Sequence, residues 1–159
     1  MKIFLMYLNI KYNDVYMSEN DVELLMEALE NEENSSMVNL NSLEIKTIKN
    51  NILQKLQLER EKLKMYHKKL KKYRYCSDLS DLQFGNYIRW ISLKDPEKIY
   101  LTNGAFFVDY IFENDMVKIV CKNSRNNVFQ IKFDEVIIFQ KLNNQENIIL
   151  SVLYLKFIF

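Results

Sequence analysis

Residues that favour tight turns are scarce in this chain of 159 residues, which has two glycines and one proline. Both glycines, the proline and the only tryptophan fall within residues 84–104. No GxxxxGK[ST] or GxGxxG pattern occurs, which excludes the common glycine-rich loops that bind phosphates. Because glycine tolerates positive φ, the clustering predicts that the most demanding turns of the fold lie in this one segment.

Side chains that carry catalysis or bind metals are also rare. His67 is the only histidine, and Cys76 and Cys121 are the only cysteines, with no CxxC spacing. One histidine cannot form a His-rich metal site, and two isolated cysteines form no disulfide framework. We therefore expect a protein that is not an enzyme, with no cofactor and no metal. His67 is expected on a solvated helix surface, and both thiols are expected as small apolar residues of the core.

Long apolar runs are absent as well. The N-terminal run covers six residues and is broken by Asn9, and the C-terminal run "IILSVLYLKFIF" covers twelve residues with one charge. A membrane-spanning helix needs about 20 apolar residues, so we expect neither a signal peptide nor a membrane span. Residues 1–16 form an apolar extension. This extension is not translated if Met17 is the start of translation. Residues 143–159 form an apolar tail, expected as a buried strand or helix or as a segment covered by a partner.

The net charge of +1 averages two opposed blocks. Residues 17–47 carry eight acids and one base, whereas residues 48–75 carry ten bases and two acids. Such asymmetry is typical of nucleic-acid or protein contact surfaces. The alternative is that two solvated helix faces attract each other within the chain.

Two helical segments are predicted before residue 77. In residues 17–41, Ser18 is a natural N-cap, apolar residues recur at helical spacing, and an acidic, polar linker follows from Asn31 to Ser36. In residues 42–76, seven of ten seam positions at heptad spacing are apolar or aromatic. This pattern predicts one long basic amphipathic helix, as a coiled coil with a second copy or packed on the rest of the chain.

The period changes in residues 84–142. Five short runs rich in β-branched and aromatic residues are separated by turn signals: "NYIRWISL", "AFFVDYIFE", "MVKIVCK", "VFQIKF" and "VIIFQ". One longer loop follows the first run, and tight turns are expected at residues 113–115 and 123–127. The sequence therefore predicts an α+β protein: helices followed by a small five-stranded antiparallel SH3-like or Tudor-like barrel.

Two groups of residues are candidates for binding. Basic residues next to tyrosines in the second helix are of the kind that phosphates and stacked bases favour; they are Lys62, Lys68, Lys69, Lys71, Lys72 and Arg74. The alternative is a charged helix face opposite a packed apolar stripe. The first strand of the barrel and a basic edge give Tyr87, Arg89, Trp90 and Arg125. For Trp90 the alternative is a place in the core.

The segment "GNYIRWISLKDPEKIYLTNGAFFVDY", with the later "IFQK" strand, resembles small uncharacterised proteins of giant double-stranded DNA viruses of the mimivirus and algal-virus kind. The resemblance covers about residues 50–142, and Ala105 stands where that pattern has a second glycine. It implies a role in the virion or virus factory. With no targeting signal in the sequence, we expect the virion or the host cytoplasm.

Two hypotheses follow. The first is a structural or assembly protein of a large DNA virus, whose long helix forms a homodimer or docks and whose barrel binds a viral protein partner. The alternative is a nucleic-acid-binding module that uses the basic helix and the aromatic and basic edge of the barrel.

Overall fold

A computed structural model describes residues 18–37 and 40–158, with side chains described up to residue 152; residues 1–16 of the expected extension lie outside this range. The described part has four α-helices: α1 (Glu19–Glu30), α2 (Ser42–Gln54), α3 (Arg60–Lys69) and α4 (Asn144–Ile158). It has six strands: β1 (Tyr73–Cys76), β2 (Tyr87–Ser92), β3 (Ala105–Glu113), β4 (Met116–Lys122), β5 (Val128–Lys132) and β6 (Val136–Lys141). Three short 3-10 helices complete it: Glu32–Met37, Leu79–Asp81 and Phe133–Glu135.

The predicted start of α1 is confirmed. The Ser18 hydroxyl accepts a hydrogen bond from the Asp21 backbone N–H at 3.2 Å, and the Asp21 carboxylate accepts from the Ser18 N–H at 3.3 Å. These two bonds satisfy N–H groups that have no partner within the helix. The predicted linker after Asn31 is wrong, because Glu32–Met37 is a 3-10 helix that buries Met37.

The prediction of one helix over residues 42–76 is wrong. The chain leaves α2 at Gln54, passes through a positive φ of 52° at Gln57, and starts α3 only at Arg60. Residues Tyr73–Cys76 form β1 instead of a last helical turn. The break lets both helices lie on the sheet, so the seam residues Tyr66 and Leu70, and Leu53 beside the seam, are buried within the chain. A coiled coil through this seam is therefore not formed.

The α+β class is confirmed, and helices precede a six-stranded antiparallel sheet of order β1-β6-β2-β3-β4-β5. The five predicted strands correspond to β2–β6, and β3 and β4 match their predicted residues throughout. The sixth strand is β1, which pairs with β6 in the register Tyr73↔Lys141 to Cys76↔Ile138.

The sheet curls, so that its inner face encloses one apolar core. Trp90 of β2 and Phe129 of β5 lie three strands apart in the sheet order, yet their ring centroids are 5.8 Å apart. The inner core draws on nearly every strand, with Cys76, Ile88, Phe107, Cys121 and Ile138 all buried.

The outer face of the sheet is covered only in part. Helices α2 and α3 pack on β1, β6 and β2 through a second core that includes Leu53, Tyr66, Ile91 and Phe139. The outer face of β3, β4 and β5 has no helix on it within the described residues. Strands β2 and β6 are thus buried on both faces, whereas β3 is mostly exposed.

The turns fall where turn residues were predicted. Asn114 and Asp115 adopt positive φ values of 50° and 60° in the β3–β4 turn, and Asn126 does so at 63° before β5. Gly104 has a φ of +95°, and a Cβ there would lie 2.4 Å from the Ile88 carbonyl oxygen. Glycine is therefore required at this position by close backbone approach as well as by conformation.

The C-terminal tail forms a helix that packs within the chain. Ile149 and Val152 of α4 pack against Leu25 and Ala28 of α1, and Leu150 contacts a separate cluster with Ile45. Among the described residues, no helix is long and apolar enough to cross a membrane.

Candidate functional site

Three aromatic side chains form an exposed ladder that continues the inner core to the surface. Phe84, Tyr110 and Phe112 have exposed fractions of 52%, 38% and 69%. Phe84 stacks on the buried Phe107 at 5.2 Å between centroids and on Tyr110 at 5.7 Å. Phe112 meets Tyr110 edge-on at 5.5 Å. We call Phe84, Tyr110 and Phe112 the aromatic ladder.

A register shift in β3 creates the ladder. Phe107 pairs with Cys121, but a bulge between Phe107 and Asp109 makes Asp109 the next paired residue. Tyr110 then pairs with the buried Ile119, and Phe112 pairs with Val117. A β-bulge adds one residue to a strand and so reverses which residues face inward beyond it. Phe107, Tyr110 and Phe112 therefore share the inner face, and the last two project past the edge of the core.

Acidic groups border the exposed end of the ladder. Glu113 and Asp115 follow Phe112 in the turn, and both are exposed. Lys118 pairs with Glu113, with 2.8 Å between Nζ and Oε2, which leaves the turn with a surplus of negative charge. The ladder can thus contact apolar side chains, and its rim favours positive charge.

A separate cleft of about 300 Å³ opens beside Trp90, Ile131 and Val136, between β2, β4, β5 and the last 3-10 helix. Lys94, Lys118 and Lys132 lie along it. The Glu135 carboxylate lies 3.1 Å from Lys94 and 3.2 Å from Lys132, and Lys118 pairs with Glu113. These two carboxylates offset most of the positive charge of the three lysines.

Three of the residues predicted to bind a partner are engaged inside the protein. The buried Arg74 donates from Nε to the Glu146 carboxylate at 2.5 Å. Trp90 is buried in the inner core, as the alternative interpretation held. Lys62 donates to the Ile99 carbonyl oxygen. Arg74 and Trp90 are therefore buried, whereas Lys62 remains partly exposed.

Tyr87 and Arg89 hold the long loop between β2 and β3. The Tyr87 hydroxyl donates to the Asn103 carbonyl oxygen at 2.8 Å, and Arg89 Nε donates to the Thr102 carbonyl oxygen at 2.8 Å. Both side chains remain partly exposed, so they keep one surface toward solvent.

The remaining predicted residues are exposed. Lys68 and Lys69 end α3, and Lys71 and Lys72 lie in the turn into β1. Arg125 lies in the turn between β4 and β5. Lys72, Arg125 and Tyr87 are brought to one end of the sheet, because β1, β2 and β5 all begin there.

The acidic N-terminal block does not neutralise these lysines. Helix α1 packs against α4 through apolar side chains. The ion pairs among the described residues are Arg74–Glu146, Lys94–Glu135, Lys118–Glu113 and Lys132–Glu135. None of them joins α1 to α3, so the expected attraction between the two helix faces has no direct ion pair among the described residues.

A buried polar network surrounds Arg74 and connects the terminal elements to the sheet. Gln83 donates from its backbone to Gln140 at 2.8 Å and from its amide to Asn34 at 3.0 Å. Asn143 donates to the Gln83 side chain at 2.7 Å. Buried polar groups require such partners, and here the partners come from separate segments of the chain. The network explains the burial of Arg74 structurally.

Nucleophilic and metal-binding groups are not assembled in the described part of the chain. Burial raises the pKa of the Cys76 and Cys121 thiols to about 12, which keeps them protonated at neutral pH. Burial, with the nearby Lys49, lowers the pKa of the partly exposed His67. No group of three or more His, Cys, Asp or Glu residues in this part is placed to hold a metal ion.

Comparison with protein-family models, curated proteins and solved structures found no match for this chain. The functional argument therefore depends on its own surfaces. Sequence reasoning missed the aromatic ladder, although aromatic residues dominate "AFFVDYIF" in β3. Their number was the available signal, but which of them are exposed depends on the bulge.

Proposed function

We propose that this protein is a non-enzymatic interaction module and that its aromatic ladder binds a protein partner. The observation that carries the proposal is that three contiguous rings, including Phe112 at 69% exposure, remain in solvent. Contiguous exposed aromatic surface is typical of protein contact sites, where large rings contribute most of the binding energy.

We propose in addition that the antiparallel sheet belongs to the SH3-like barrel kind, and three features support this. Strands β2–β5 form a meander, a long loop joins β2 to β3, and a 3-10 helix precedes β6, which returns beside β2. The contact between Trp90 and Phe129 supports a curl toward closure. Barrels of this kind serve many unrelated functions, so the function is argued from the ladder.

The chemistry of the rim defines the kind of partner. Apolar side chains would cover Tyr110 and Phe112, and a lysine or arginine of the partner would face the exposed Asp115 in the adjoining turn. We therefore propose an apolar segment flanked by basic residues. The resemblance of about residues 50–142 to giant-virus proteins supports a viral assembly partner.

The test uses two matched peptide sets and the full-length protein. Each set has an apolar core, flanked in one set by Lys and Arg and in the other by Asp and Glu. We expect the basic-flanked set to bind in fluorescence polarisation. Tyr110→Ser/Phe112→Ser should weaken this binding at least about tenfold, since a hot-spot ring contributes about 2 kcal/mol.

The control is Leu43→Ser/Tyr100→Ser, which removes two exposed apolar side chains outside the ladder. It should bind as the native protein does. Equal binding by the ladder variant, or preference for acidic-flanked peptides, would reject the proposal. Light scattering on the same samples identifies a second copy as the occupant if a dimer dissociates in the ladder variant alone.

A further inference from the structure

A row of cross-strand neighbours crosses the outer face of the sheet at the end where β2 begins. It is defined by four cross-strand pairs: Tyr73↔Lys141, Tyr87↔Phe106, Phe106↔Lys122 and Lys122↔Val128. Lys141 lies beside Tyr87, one position beyond the pair Ile88↔Gln140. We call Lys141, Tyr87, Phe106 and Lys122 the basic–aromatic row. It lies on the opposite face from the aromatic ladder and at the other end of β3.

The row presents two adjacent rings to solvent between two cations. Phe106 is 45% exposed, and Lys141 and Lys122 on either side of the two rings are exposed as well. Tyr87 meets Phe106 edge-on, with centroids 5.1 Å apart and an angle of 82° between the rings. The Tyr87 hydroxyl is held by the Asn103 carbonyl oxygen, which fixes the ring that supports Phe106.

Further cations surround the row. Lys71 and Lys72 directly precede the first strand of the sheet, and Arg125 lies in the turn that follows Lys122. Within the described residues, no carboxylate lies within 4.0 Å of these basic groups or of Lys141. This differs from the cleft beside Trp90, where Glu135 pairs with two lysines. The surplus of positive charge is thus concentrated at the end of the sheet that carries the row.

We infer that the basic–aromatic row is a binding site for single-stranded nucleic acid. Lys122, Lys141 and their basic neighbours contact phosphates, while an unpaired base stacks on the exposed ring of Phe106. Proteins that bind single strands combine a positively charged surface with rings that stack bases, and one such site covers about four or more nucleotides. A duplex keeps its bases paired and stacked, so it cannot use the ring.

The inference is independent of the aromatic ladder and extends beyond the proposed function. It also revises the sequence-based alternative, because Arg74 and Trp90 are buried and the tyrosines Tyr66 and Tyr73 of the basic segment are buried as well. The rings come from β2 and β3, the lysines of the row come from β4 and β6, and only Lys71 and Lys72 come from the end of the helical segment.

The experiment measures fluorescence anisotropy of a labelled single-stranded oligonucleotide of about 15 nucleotides with the full-length protein. We expect binding that weakens steeply with salt, with a slope of log K against log salt of about −0.7 for each phosphate contacted. Lys122→Gln/Lys141→Gln should weaken binding about tenfold or more and reduce the slope by about 1.4.

Two substitutions at one position separate stacking from charge. Phe106→Leu keeps the apolar packing but removes the ring, and should weaken binding about tenfold. Phe106→Tyr restores a ring and should bind as the native protein does. Lys94→Gln/Lys98→Gln removes two exposed lysines beyond the other end of β2 and should leave binding unchanged. Circular dichroism and thermal melts confirm that each variant is folded.

Several outcomes would overturn the inference. A duplex of the same length that binds as tightly as the single strand rejects the stacking role. Native affinity in Phe106→Leu together with equal competition by heparin indicates a general polyanion surface. A loss in Lys94→Gln/Lys98→Gln as large as that in Lys122→Gln/Lys141→Gln places the site elsewhere. The ladder variant Tyr110→Ser/Phe112→Ser should retain native oligonucleotide binding, which separates this test from that of the proposed function.

Discussion

The two halves of the sheet use aromatic residues in opposite ways. In the half formed by β1, β6 and β2, the outer face is covered by α2 and α3, and Phe139 has no exposed surface. In the half formed by β3, β4 and β5, the outer face is bare, and Phe106 on that face is 45% exposed. Both halves have similar strand sequences. Whether a ring stabilises the fold or remains available for binding is decided by which segments from elsewhere in the chain cover it.

The sharpest test of this contrast removes one ring from each half. Phe139→Ala should lower the free energy of unfolding by about 4 kcal/mol, because it leaves a cavity between the sheet and the helices. Phe112→Ala should change it by less than about 0.5 kcal/mol, since the ring is mostly hydrated in the native state. Urea denaturation of both variants measures the difference. Similar losses would mean that the hairpin ring is part of the core.

The buried ion pair of the covered half provides the next test. Glu146→Gln leaves Arg74 buried without its counter-charge and should cost about 3 kcal/mol. The double variant Arg74→Met/Glu146→Leu should regain most of that stability, because the unpaired charge is removed as well. The matched control in the bare half is Glu113→Gln, which breaks an exposed pair and should leave the unfolding midpoint unchanged. An equal loss in both single variants would contradict the contrast.

Substitution of the two glycines separates the cost of a close contact, at Gly104, from the cost of a positive φ alone, at Gly85. Gly104→Ala should cost about 2 kcal/mol, because the new methyl group would contact the Ile88 carbonyl oxygen and the side chains of Tyr87 and Arg89. Gly85→Ala has a similar positive φ of +83° but open space around the new methyl group. Its cost should therefore be only the conformational one, about 1 kcal/mol. Thermal melts of the pair separate close approach from backbone conformation.

The smallest effect concerns Lys49 beneath the covered half. Burial and the nearby Lys46 lower the pKa of its ammonium group to about 8, while Nζ donates to the Leu70 carbonyl oxygen at 2.7 Å. Between pH 8 and pH 9 the unfolded chain binds a proton that the native state lacks, so Lys49 alone should raise stability with pH by about 1 kcal/mol. The buried Cys76 and Cys121 act in the opposite sense over the same range, because their thiols ionise there only in the unfolded chain. Urea titrations should therefore show a change in stability between pH 8 and pH 9 that is more favourable in the native protein than in Lys49→Met by about 1 kcal/mol.

The strands of the bare half could be predicted almost completely from the sequence. Each lies between turn residues that act locally, such as Asn114 and Asp115 before β4 and Asn126 before β5. The α1 cap at Ser18 is local in the same way. Strand β1 could not be predicted, because Tyr73 continues a heptad pattern that begins in α2. Its conversion to a strand depends on pairing with Lys141, far along the chain.

The candidate sites were predictable only in part. The lysines near β1 and Tyr87 were identified by residue type, which is sufficient for exposed charges. Phe106 and Phe112 were not identified, because alternation alone places residues 106, 108, 110 and 112 on one face. The bulge after Phe107 moves Tyr110 and Phe112 to the other face, and no local signal in "AFFVDYIFE" specifies it.

The pairing of Arg74 with Glu146 also determines where α4 is docked. The apolar side chains of α4, Ile149 and Leu150 among them, make contacts that depend little on direction, so they alone would tolerate a helix shifted by one turn. A shifted helix would leave the guanidinium buried opposite an amide or an alkyl chain. The ion pair therefore selects one alignment of α4 relative to β1. It contributes less to the free energy of docking than to the choice of this single alignment.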